Sequence, residues 1–245
     1  MTCVAYISQF DLGSTRAVRE VVQAIVSLLH TLSSSSSLTS SRAASPPSLT
    51  ASWQIVLKVL QHLQVLFFRH LHYLADADRA FFVDTVAEFL HDPHVEVRQL
   101  AGVTLSGLVQ CTGGMREDNP VAAQVRAVAE SLLAASGTAL PKRRAGQPVP
   151  EGFADQIRTR HAGVLALAAL VRAHPYDVPA TTLPLVLVKL AHYAEDPVPV
   201  GPAVKSVFAE FKRTHAETWH RDILAFDDDQ RAVLVDMLVS PSYYA

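Results

Sequence analysis

The chain has 245 residues, 49% of them hydrophobic but only 7% aromatic, with 10 glycines and a net charge of -2. That length is ample to bury a core, in one large domain or two ordinary ones. Scarce glycine among so many aliphatic residues points to an all-α chain rather than a turn-rich β fold. The balanced charge argues against a generally basic surface, so no sequence-specific nucleic-acid partner is expected.

Ser14 opens the first helical pattern, with Val18, Val21, Val22, Ile25, Val26 and Leu29 on one face. Met1 to Phe10 lacks the basic start and apolar run of a secretory signal. Residues 1–32 therefore read as an N-terminal helical segment. Residues 33–50 are dominated by serine with Pro46 and Pro47, a composition that cannot bury enough apolar surface to order itself. A disordered loop is expected there.

Trp53, Val56, Leu57, Leu60, Gln64, Phe67, Leu71 and Leu74 trace a long helix, or one with a break. A second follows with Phe82, Val86, Phe89 and Leu90. At Asp92-Pro93 the aspartate can cap and the proline can take the first helical position. The next face is Val97, Leu100, Ala101, Thr104, Leu105 and Leu108, closed by Gly113-Gly114. A related pattern returns downstream. Leu183, Val186, Leu187 and Leu190 form a helix, Asp196-Pro197 a turn, and Val200, Val204, Val207, Phe208 and Phe211 the returning helix.

Helix, Asp-Pro turn, then helix with an early basic residue such as Arg98 is the pattern of HEAT-type repeats. Their units of ~40 to 47 residues stack into a solenoid, and roughly five hairpins would fit residues 51–239. The second copy is imperfect, because Val198-Pro199-Val200-Gly201-Pro202 interrupts the helix start and shifts the basic residue to Lys205. Ala101-Gly102-Val103-Thr104-Leu105 is echoed by Ala162-Gly163-Val164-Leu165-Ala166-Leu167, and the apolar run 162–171 reads as a buried centre rather than a ligand pocket. Residues 137–152 and 174–179 are expected loops. The last helix opens on Asp227, Asp228 and Asp229, favourable for its dipole, and stops at Ser240-Pro241.

Chemistry is thin along this chain. Eleven histidines invite a metal search, yet none of the close pairs has zinc-protease spacing, and Cys3 and Cys111 stand apart from them. Surface or partly satisfied histidines are expected, with no metal and no cofactor. There is no glycine-rich phosphate loop, no strand-turn-helix serine and no defensible carboxylate pair, so no enzyme is expected. No charge-free stretch reaches membrane-spanning length. The chain is expected to be soluble and intracellular. Lys142, Arg143 and Arg144 have the composition of a short nuclear localisation signal or a phosphate contact, set against a solvated loop. Asn119 before Pro120 is the natural cap of a following helix.

The chain ends on Tyr243, Tyr244 and Ala245. A free α-carboxylate is a full negative charge that a lysine or a nest of backbone N–H groups can clamp. Tyr244 adds a rigid ring with a hydroxyl, Tyr243 adds apolar area, and Pro241 favours an extended exit. Residues 240–245 thus read either as a tail presented to a partner or as a frayed terminus.

Arg160-His161-Ala162-Gly163-Val164-Leu165, Pro175-Tyr176-Asp177-Val178-Pro179, Arg213-Thr214-His215 and the ending from Leu238 to Ala245 resemble the C-terminal end of the proteasome activator complex subunit 4 family. These are large HEAT-repeat activators of the 20S proteasome. Trp53 to Cys111 resembles them more loosely. The resemblance implies a non-catalytic, ATP-independent activator that caps the α-ring and opens its gate. It implies that Tyr243, Tyr244 and Ala245 match the tail inserted between α subunits, the carboxylate pairing with a pocket lysine and the penultimate tyrosine contacting the gate-linked turn. It further implies residence in nucleus and cytoplasm and an acetylated-histone partner, for which Asn119 is a candidate acetyl-lysine contact. Family members are several times longer, so a fragment or truncated product is expected. A generic HEAT adaptor that binds peptides on a concave face is the competing reading.

Overall fold

The computed structural model describes residues 12–37, 52–116, 118–137, 140 and 151–238. Every regular element among them is helical. The described residues fall into two units divided between Thr104 and Leu105.

The first unit begins with α1 (Thr15–Ser37), which turns Val18, Val22 and Ile25 inward. The Ser14 hydroxyl accepts from the Ala17 amide at 3.2 Å, filling one of the open N-terminal donors. α1 continues through 33–37, where the composition predicts a loop. Serine costs only about half a kcal/mol per residue in a helix, too little to stop one already running. The rest of the serine-rich stretch, 38–50, lies outside the described residues. α2 (Ser52–His70) buries Val56, Val59, Leu60, Leu63, Leu66 and Phe67. It stops at His70, so the expected break falls at 71–75 before α3 (Asp76–Glu88). Phe67 meets Phe82 edge to face at 5.2 Å. Asp78 accepts from Arg19, whose guanidinium also lies 5.5 Å over the Phe81 ring. A 3-10 turn, Phe89–His91, leads to the first Asp-Pro turn and to α4 (Val95–Cys111), which runs through the division between the units.

The second unit is built on a helix that has no wet side from Arg160 to Val171. α5 (Pro120–Ala135) packs along α6 (Phe153–Arg172), and α6 also carries α7 (Leu183–Ala191) and α8 (Val200–Thr214). Every residue from Arg160 to Val171 is buried, as a helix surrounded by neighbours demands. Gly163 is what lets α5 approach. A Cβ there would stand 2.7 Å from Leu133 Cγ. The short α9 (Trp219–Asp222) precedes α10 (Asp228–Leu238), which rests on α7 and α8.

Candidate functional site

The polar residues with work to do inside the second unit hold turns. Asp227 accepts from the Gln230 amide at 2.7 Å while Gln230 Oε1 accepts from the Asp227 amide at 3.1 Å, a reciprocal capping box that fixes where α10 begins. Phe226 and Leu234 are buried, and Trp219 lies 5.8 Å from Phe226 and 6.4 Å from Phe211. His215 stacks on Phe211 at 4.1 Å. α10 is therefore anchored at its first turn and along its inner face, and the chain leaves it at Leu238. Tyr243, Tyr244 and Ala245 lie outside the described residues.

Lys142, Arg143 and Arg144 lie outside them as well. Asn119 does not. It is buried at the N-cap of α5, its carbonyl accepting from the Val121 amide at 3.0 Å. Its amide nitrogen donates to Thr112 Oγ1 at 3.1 Å and to the Gly114 carbonyl. Both amide hydrogens are thus committed to the α4–α5 turn.

Among the described residues, Arg160 is the largest fully buried side chain. Its guanidinium donates to Ser136 Oγ at 3.2 Å, to the Gly137 carbonyl, and to the Asp196 carboxylate at 3.1 Å, and it lies 5.6 Å over the Tyr193 ring. Burial holds the Tyr193 phenol above its ordinary range; Arg160 pulls it down and Asp196 pushes it up. One cation therefore ties the end of α5 to the turn between α7 and α8. Sequence spacing gives no sign of this, since Ser136 and Asp196 stand far from Arg160 along the chain.

His174 performs the same service for the α4–α5 turn. Its Nε2 accepts from the Met115 amide at 2.6 Å, which places the ring hydrogen on Nδ1, 3.0 Å from the Asp177 carboxylate. Gly114, at φ +70°, lies directly beneath; a Cβ would come within 2.5 Å of the ring. His70, His161 and His215 are buried too, so of the surface or partly satisfied histidines expected, these are not the surface kind. His70 Nε2 accepts from the Leu12 amide at 3.1 Å and His70 Nδ1 faces the Leu66 carbonyl at 2.9 Å, so this ring joins backbone segments rather than binding a metal. Among the described residues no group of three His, Cys, Asp or Glu side chains is placed to hold a metal, and no helix is long and apolar enough to cross a membrane.

A family model described as proteasome activator complex subunit 4-like, C-terminal, matches residues 157–245. The matched segment starts inside α6 and runs through the tail. Proteasome activator complex subunit 4A of Danio rerio is 39% identical over 206 residues, 81% of this chain and 11% of the relative. Proteasome activator complex subunit 4 of Homo sapiens is 37% identical over 201 residues, and proteasome activator subunit 4 of Arabidopsis thaliana is 34% identical over 195; each covers 80% of this chain and 10% of the relative. The chain thus spans about a tenth of the length of these relatives.

Proposed function

Because the chain belongs to the proteasome activator complex subunit 4 family through the C-terminal part of those proteins, we propose that it is a proteasome-activating element whose last residues dock into the 20S α-ring and favour the open gate. The observation that carries this is the extent of the family match, 157–245, which unites the helices from α6 to α10 with Tyr243, Tyr244 and Ala245. A tail shifts a gate only by binding the open arrangement better than the closed one. The chain's own residues contribute a carboxylate at Ala245, a phenol at Tyr244 and apolar area at Tyr243, and none of them cleaves a peptide. Proteolysis stays with the proteasome.

The helical hairpins are proposed to belong to a HEAT-like solenoid, with residues 240–245 as its docking tail. Nuclear and cytoplasmic residence is proposed on the same grounds, with Lys142, Arg143 and Arg144 as a local import signal. An acetyl-lysine at Asn119 would have to displace its bonds to Thr112 and Gly114.

The test is binding to latent 20S proteasome, with peptide hydrolysis read in parallel. Deleting Ala245 moves the carboxylate onto Tyr244 and shifts the register, so binding and activation are both expected to fail. Removing one partner of a buried charge pair costs roughly 2 to 5 kcal/mol in comparable interfaces. Tyr244→Phe keeps the ring and loses the hydroxyl; binding should partly survive while gate opening suffers more. A deletion variant that binds and activates like the parent would disprove the tail assignment.

A further inference from the structure

The loop at 175–179, between α6 and α7, is held from three sides. His174 at its start is clamped between the Met115 amide and the Asp177 carboxylate. The buried His215 ring places Nε2 3.5 Å from the Asp177 carbonyl oxygen. The amides of Thr182 and Leu183 both donate to the Pro179 carbonyl, at 3.1 and 3.0 Å. Pro175 and Pro179 fix two φ angles besides.

On this braced backbone Tyr176 is 75% exposed, and the Asp177 carboxylate beside it is 68% exposed. The Asp177 carboxylate serves the His174 clamp from one side and is open to solvent on the other, whereas the Tyr176 ring is not among the groups that brace the loop. An aromatic ring on a rigid backbone loses little freedom when it is covered, which is the property of an interface anchor.

Its placement indicates what covers it. α10 rests on α7, a helix only nine residues and so about 13 Å long, and the loop leads into the first turn of α7. Residues 239–245 reach at most about 25 Å from Leu238. A folded partner is itself about 30 Å across, so α7 and the loop come within reach of one that closes on Ala245.

We infer that this loop is a second point of attachment to the protein that receives the tail, Tyr176 entering a shallow apolar pocket and Asp177 facing a lysine or arginine at its rim. The inference rests on the tail reading above.

The experiment titrates the full chain against latent 20S proteasome, comparing Tyr176→Ala, Tyr176→Phe and the Ala245 deletion. Tyr176→Ala is expected to weaken binding about ten-fold, with Tyr176→Phe close to the parent and all three melting temperatures unchanged. A photo-crosslinking phenylalanine analogue at 176 should form an adduct with an α subunit. Parent-like binding by Tyr176→Ala, together with loss of binding by the deletion, overturns the loop attachment and leaves the tail reading standing. The converse result removes the tail reading and, with it, the loop as a second attachment beside the tail. If neither change matters, or if the parent does not bind, both fall.

Discussion

Two Asp-Pro turns with the same sequence cue are stabilised by different means. At Asp92-Pro93 the support is local: Asp92 accepts from the His94 amide at 2.8 Å, and Arg98, six residues after the aspartate, folds back to donate to the Asp92 and Pro93 carbonyls at 2.6 and 2.9 Å. At Asp196-Pro197 the residue with that spacing is Pro202, which donates nothing. Arg160 arrives from α6 instead and takes the Asp196 carboxylate at 3.1 Å. Lys205, the expected basic residue, reaches Glu195 at the surface, 2.9 Å away. A turn closed by its own hairpin needs only that hairpin. A turn closed by a neighbour stands or falls with the packing around it.

The contrast is most easily broken at Arg160. Arg160→Met leaves the Asp196 carboxylate and the carbonyl of Gly137 without their donor, and a broken buried pair costs about 3 to 5 kcal/mol. Urea unfolding should show that loss in the second unit, and a loss under about 1 kcal/mol would mean that the cation is dispensable. Arg98→Met removes two charge-assisted bonds to carbonyls, and the expected cost is about 2 to 3 kcal/mol. The same unfolding experiment should rank it below Arg160→Met; the reverse order would erase the distinction between the turns.

Gly201→Ala tests how closely α8 approaches the second turn. A Cβ there would stand 2.5 Å from the Asp196 carbonyl oxygen and 2.7 Å from that of Ala194. A thermal shift equivalent to about 1 to 2 kcal/mol is expected, and an unchanged melting temperature would mean that the turn yields freely.

The smallest effect is on a titration. Burial, first, and Asp196 raise the Tyr193 pKa, against the opposing pull of Arg160. A phenol whose folded value lies above its unfolded value of about 10 contributes stability that is fully present below about pH 10 and is lost as pH rises through the folded value. Asp196→Asn removes one of the two upward pushes, so Tyr193 should titrate lower than in the parent. Ultraviolet difference titration against Tyr193→Phe reads it directly, and an upward shift would contradict the assigned geometry.

The helices are legible wherever one apolar face recurs at helical spacing, as at Val18, Val22 and Ile25 or at Val200, Val204, Val207 and Phe211. The Asp-Pro turns, the paired glycines after α4 and the buried run 162–171 are legible for the same local reasons. α5 is marked only by its cap, because Val121, Val125, Ala129 and Leu133 are interleaved with alanines that blur the face. Arg160 and His174 give no signal, since each meets its partners across the fold. Asn119 illustrates the limit from the other side: residue type alone fits both a cap and an acetyl-lysine contact, and only the positions of Thr112 and Gly114 show where its hydrogens go.

The packing of α10 has a mechanical consequence. A pull on residues 239–245 enters the described structure at Leu238 and is shared between α7 and α8, both of which bear on α6. The load therefore divides once and then converges on α6, whose residues 160–171 are all buried. Tension on the tail is therefore met first where α10 lies on α7 and α8, around the buried Leu234.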